Sequence, residues 1–202
     1  MSRLELTPDT PGLNFYKLMT AVVVPRPIAW VCTLSDEGTV NLAPHSFYTV
    51  ACARPPIVMF SSVGTKDTLR NVRATGEFTI SLAHAPLLEQ VNNSAARFEP
   101  DQSEPAQLDI HMEPSSHVRP PRVTHSPVSV EATLHSLTEL GDSTMILGDV
   151  VAVCVDEAVM VDGHPDYTRL DPLARLGRDE WALHAEVVSV PRPVRPDDIS
   201  SR

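Results

Sequence analysis

Arg54-Pro55-Pro56-Ile57-Val58-Met59-Phe60-Ser61-Ser62-Val63-Gly64-Thr65-Lys66-Asp67-Thr68 places a strand, a turn and a helix start in one short stretch. Two prolines stiffen the approach, and 57–61, apolar through Phe60, has the length of a buried strand. Thr65 can cap a helix over 66–75, in which Leu69 and Val72 form an apolar i, i+3 pair and Gly76 marks the end. The pattern of short strands bounded by stiff connections extends from here in both directions.

Toward the N-terminus, Asn41-Leu42-Ala43-Pro44-His45-Ser46 reads as a rigid polar junction between strands at 39–42 and 47–52. Ser35-Asp36-Glu37-Gly38 is a turn that pairs 39–42 with a strand at 28–34. Pro25-Arg26-Pro27 separates that strand from a short helix at 13–20. Toward the C-terminus, a strand is expected at 77–83 and a helix from Pro86 toward Phe98. The polar, proline-rich stretch 99–127 reads as an excursion with little regular structure, an arm over a partner subunit. Val128, Val130, Ala132 and Leu134 alternate with Ser129, Glu131, Thr133 and His135, which predicts one dry and one wet face. The apolar phase slips after His135, the mark of a bulge. The run 144–155 is apolar on both faces, and dimerisation is the simple reason. A helical turn at 171–176, a last strand at 181–190 and a loose tail complete a mainly β chain: one domain over 1–190 and a flexible tail over 191–202.

Composition bounds the function. The 16 basic and 26 acidic residues give a net charge of −10, which disfavours nucleic acid and anionic lipid as partners. No segment approaches the roughly 18 uninterrupted apolar residues of a membrane span, so a soluble, cytoplasmic protein is expected. Cys32, Cys52 and Cys154 each sit in an apolar run and read as reduced, buried thiols. The eight histidines form no metal-ligand array, and no metal is expected.

The eight glycines form no GxGxxG and no GxxxxGK[ST], so a bound nucleotide needs another phosphate device. Thr65, Lys66 and Thr68 at a helix N-terminus offer one: free backbone N–H groups, an ammonium and two hydroxyls, suited to a single terminal phosphate. Asn41, His45 and Ser46, with Ala43 and Pro44 fixing the backbone, can read the edge of a planar heterocycle. Ser61 and Ser62 precede the same helix and can face the same ligand. An ordinary helix cap and an ordinary loop would account for either segment alone.

Their order is more specific. Pro25-Arg26-Pro27-Ile28-Ala29-Trp30-Val31-Cys32-Thr33, the Asn41 segment with Phe47, Arg54 through Ser61, Thr65-Lys66-Asp67-Thr68-Leu69-Arg70-Asn71 and Thr75-Gly76-Glu77-Phe78-Thr79-Ile80-Ser81-Leu82 resemble, in spacing, the flavin reductase-like family of FMN-binding split barrels. Gly141-Asp142, Ile146-Leu147-Gly148-Asp149-Val150 and Pro172-Leu173-Ala174-Arg175-Leu176-Gly177 extend the likeness over nearly the whole chain. The resemblance implies a six-stranded Greek-key split barrel with a few short helices, a homodimer, and FMN near the dimer interface. It implies that Ser46 and its neighbours contact the ring and ribityl chain, that Ser61, Ser62, Lys66 and Thr68 form the phosphate side, and that Trp30 borders the ring. It further implies an oxidoreductase that passes a hydride from NADH or NADPH to FMN, with a monooxygenase, another acceptor or oxygen downstream and no catalytic side chain identified. Ser143 stands where family members often carry a histidine associated with the nicotinamide, and Arg178 and Trp181 stand where Gly and Tyr are common. The first departure keeps two other readings open: an oxygenase or electron carrier reduced by a protein partner, and a non-catalytic β-barrel binder of a small ligand.

Overall fold

The computed structural model describes residues 2–195. Asn14 caps α1 (Phe15–Val22) by accepting from the Lys17 N–H, and β1 (Arg26–Pro27), β2 (Ala29–Leu34), β3 (Val40–His45), β4 (Tyr48–Cys52) and β5 (Ile57–Val63) follow. Next come α2 (Asp67–Thr75), β6 (Glu77–Leu82), α3 (Leu88–Asn93), α4 (Glu104–Gln107), β7 (Met112–Glu113), β8 (Arg122–Val123), β9 (Val128–Leu140) and β10 (Ser143–Val155). The chain ends with β11 (Met160–Val161), β12 (His164–Pro165), α5 (Tyr167–Leu170), β13 (Ala174–Arg175) and β14 (Trp181–Ala182).

The main sheet is antiparallel with the order β3-β2-β6-β9-β10-β5-β4, seven strands where six were expected. Its two edges, β3 and β4, are consecutive in the chain and joined by Ser46 and Phe47. Curling the sheet brings them together, and across the gap His45 Nδ1 of β3 lies 3.3 Å from the Ser61 carbonyl of β5. The result is a split barrel whose seam runs between β3 and β5.

Alternation along β2 builds both sides of the wall. Ala29 and Val31 join Phe60, Leu69, Phe78 and Ile146 in one apolar cluster, while Trp30 and Cys32 join Leu42, Val91, Val123 and Leu173 in the other. A strand covered on both faces is apolar except where a hydrogen bond satisfies it, and β2 is buried at nearly every position, with Thr33 bonded to Asn41 and Asn71.

The expected bulge after His135 is present: Leu147 pairs with Ser136 and Gly148 with Leu134, leaving His135 out of the ladder. The expected wet face of β9 holds at its far end, where His135 is exposed and Thr133 half-buried, but not at its start. Ser129 and Glu131 are buried because the 99–127 excursion packs down onto their own sheet. Glu131 accepts from the N–H groups of Ser116 and His117, and Thr79 donates to the Pro121 carbonyl. The excursion, with α4, β7 and β8 in it, thus covers its own barrel.

Four further expectations need correction. The segment Asn41 to His45 is the body of β3 and not a junction; Pro44 fits because β3 is an edge strand, where a missing N–H breaks no ladder. The helix after Pro86 stops at Asn93. Residues 171–176 form no helical turn: α5 ends at Leu170, Asp171 takes a left-handed φ of 41°, and Ala174 and Arg175 pair with β1 instead. The last strand shrinks to Trp181–Ala182, the following residues being exposed without regular structure. Of the expected tail, residues 196–202 lie outside the described residues.

Candidate functional site

The seam opens into a cleft of about 580 Å³. Asn41, Ala43, Pro44 and His45 of β3 form one wall, and the loop from Val63 to Thr65 with the first turn of α2 forms the other. Ser94 to Phe98 and Glu104 close it from the side. The residues read as two separate motifs therefore face each other across one space.

A polar chain fixes this geometry. Asn41 Nδ2 donates to Thr33 Oγ1 at 3.3 Å and Thr68 Oγ1 at 3.1 Å, and Asn71 Nδ2 reaches Thr33 Oγ1 at 3.0 Å. Thr68 Oγ1 lies 3.3 Å from His45 Nε2, and His45 Nδ1 lies 3.3 Å from the Ser61 carbonyl. A carbonyl only accepts, so Nδ1 carries the proton and Nε2 accepts from the Thr68 hydroxyl. Burial, with the nearby Lys66 ammonium adding to it, pushes the His45 pKa down to about 4. The imidazole is neutral at ordinary pH and pins β3 to β5 and α2 across the seam.

The start of α2 is left open. Lys66, and not Thr65, is its N-cap residue, and no side chain caps the first turn. Its backbone N–H groups and the positive end of the helix dipole are aimed at the cleft mouth, where Thr65 and Lys66 are exposed. Gly76 terminates the helix with a φ of 70°. Arg70 pairs with Asp67 at the rim, whereas Lys66 has no ion-pair partner among the described residues.

Other expected site residues are placed differently. Thr68 is buried and its hydroxyl is committed to the polar chain, so its backbone N–H is the group available to a ligand. Ser62 is buried and donates to the Gly64 carbonyl at 3.2 Å, and Ser61 acts through its backbone. Both support the cleft from behind. Trp30 is fully buried in the core; its indole N–H donates to Ser94 Oγ at 2.9 Å, so it holds a wall residue instead of bordering the space. Ser46 lies in a smaller adjoining pocket of about 310 Å³ that shares Pro44 and Ala95 with the cleft.

Glu104, Arg70 and Arg97 escaped the sequence reading. Glu104 is 5% exposed and accepts from the Leu42 N–H at 2.9 Å, and burial raises its pKa. Its partner is 62 residues away in the chain, so no local pattern marks it. Arg97 and Arg70 are single basic residues near helix ends, a signal too common to select them.

A family model described as flavin reductase like domain matches residues 19–170. An uncharacterised protein of Aquifex aeolicus is 32% identical over 84% of this chain and 89% of its own length. Nitrilotriacetate monooxygenase component B from Bacillus cereus superposes with a TM-score of 0.88 at 27% identity, covering 94% of this chain and all of the other. The 2-nitrobenzoate 2-nitroreductase NbaA of Pseudomonas fluorescens follows with a TM-score of 0.81 at 27% identity, over 90% and 93% of the two chains.

Proposed function

This chain belongs to the flavin reductase-like domain family, and from that premise we propose that it is an FMN-binding oxidoreductase that takes reducing equivalents from NADH or NADPH. The observation that carries the reading is the uncapped first turn of α2, with the unpaired Lys66, opening onto a cleft whose facing wall is β3. The cleft volume lies within the usual range for small-molecule sites. A helix start without an internal cap suits a terminal phosphate, and a neutral, hydrogen-bonded wall suits the edge of a planar ring. These residues fit FMN.

Bound FMN would supply the hydride-accepting chemistry. The chain's own part is placement. Lys66, the Thr65 hydroxyl and the first-turn N–H groups hold the phosphate. Asn41, Ala43 and Pro44 line the wall for the ribityl chain and ring, with Ser46 at the far end, and the His45 chain keeps that wall in register with α2. No side-chain acid or base is called for, and His45, neutral and committed on both nitrogens, offers none. The protein acts as a homodimer and hands reduced flavin or electrons to a monooxygenase, another acceptor or oxygen. The absorption spectrum of the purified protein before and after anaerobic NADH tests this. Flavin bands that bleach support it, and a colourless protein that takes up no added FMN refutes it.

One observation favours a second donor. Ser143 replaces the histidine common in the family, and its hydroxyl donates to Asp142 at 2.8 Å. We infer that, if NADH and NADPH both fail to bleach bound FMN, a reduced protein partner is the source of electrons.

A further inference from the structure

Arg26 of β1 and Arg175 of β13 stand directly opposite each other in an antiparallel ladder. Like charges in that arrangement are destabilising. Among the described residues, no carboxylate comes within ion-pair distance of either guanidinium. Arg26 is buried and spends its terminal N–H groups on the carbonyls of Thr20, Val23 and Leu176, which leaves its Nε without a partner. It is a fixed internal cation. Arg175 is half-buried, and one N–H donates to the Arg178 carbonyl at 2.7 Å. Its guanidinium lies 4.6 Å from the centre of the Trp181 ring. In a chain of net charge −10, two facing cations without a counter-ion mark a place where an external anion offsets the repulsion.

The pocket that Arg175 borders has the shape for a particular kind of anion. Tyr16 and Trp181 supply aromatic walls and Ile28 and Pro44 supply apolar ones, with Ser46 at the border shared with the ring site. Flat apolar surfaces favour a flat apolar body, and a guanidinium held by stacking presents its edge N–H groups for two-point contact with a carboxylate. A compact anion such as phosphate would leave those walls without a partner. We propose that this pocket binds a small planar aromatic carboxylate, with Arg175 as its counter-ion and Tyr16 and Trp181 as its walls. The pocket adjoins the larger cleft at Pro44 and Ala95, so the acid lies next to whatever occupies that cleft.

Calorimetric titration of the full-length protein as purified, with benzoate and with benzamide, tests the proposal without relying on bound flavin. Benzoate is expected to bind saturably and at least about tenfold more tightly than benzamide, which has the ring without the charge. Arg175→Gln should weaken benzoate about tenfold or more and leave benzamide unchanged. This variant relieves the opposition to Arg26, so its melting temperature should not fall. Trp181→Leu, which removes a wall and keeps the charge, should weaken both probes. Equal affinity for the two probes, no saturable heat with benzoate at millimolar concentration, or an unchanged benzoate affinity in Arg175→Gln overturns the proposal. Flavin content, read by absorbance on the same samples, decides the FMN reading separately.

Discussion

Lys66 and Thr68 stand two residues apart in the motif yet do different work, and substitutions should separate them. Lys66 is exposed at the cleft mouth, so Lys66→Ala should weaken FMN binding by about 1.5–3 kcal/mol, the worth of a charged hydrogen bond, with little change in stability. Flavin fluorescence titration and urea melts check the two halves. Thr68→Val deprives Asn41 and His45 of the hydroxyl between them and should cost about 1–3 kcal/mol of stability, read by urea unfolding. His45 adds a pH signature. Its folded pKa of about 4 lies below the ordinary value of 6.5, so the unfolded chain binds more protons between those values. Stability should therefore fall as pH drops from about 6.5 to 4, by on the order of 3 kcal/mol for this group. His45→Gln should flatten that slope relative to wild type, and an unchanged slope would show that other groups set it. Glu104, whose raised pKa acts with the opposite sign, is common to both proteins and drops out of the comparison. That the Asn41 and Thr65 segments line one cleft was half legible, because polar side chains on a strand and at a helix start single both segments out while nothing local says that they face each other. Which atoms face the cleft was not legible, since Thr68, Ser62 and Trp30 turn inward for reasons set by distant partners.

Strand β9 shows how far periodicity carries at the scale of an element. Its alternation located the strand, and the slipped phase after His135 located the bulge. The polar positions were read as wet because two-state alternation cannot distinguish water from a polar lid. Here the lid is backbone: the N–H groups of Ser116 and His117 satisfy the Glu131 carboxylate. Gly148 sits opposite the same irregularity, against the edge-to-face pair of Phe60 and Phe78. A Cβ there would fall inside the Phe78 ring contact and 3.2 Å from Ala132 Cβ, with Phe78 fully buried and unable to withdraw. Gly148→Ala should cost about 1–3 kcal/mol by denaturant unfolding. Phe78→Leu in the same chain should recover part of that loss.

For the whole molecule, the number of strands and the position of the seam follow from connectivity that no single strand announces. The step from β3 to β4 through Ser46 and Phe47 looks like a hairpin, yet it joins the two edges of one sheet. Val151 and Val153 of β10 are 44% and 54% exposed, and Val50 of β4 is 69% exposed. A homodimer would account for apolar side chains left in water on barrel strands. Sedimentation at twice the chain mass, shifted toward the single-chain mass by Val153→Glu, is the expected result, and a wild-type monomer would refute it. The bond from the Leu42 N–H to Glu104 has a consequence for behaviour at high concentration. An edge strand offers its unpaired N–H groups to any extended chain that meets it, the first step of amyloid-like stacking. Glu104, itself buried, occupies one of those donors where α4 packs over β3, so the edge is closed to a passing chain there, and Glu104→Ala should reopen it, read as precipitation from concentrated solution.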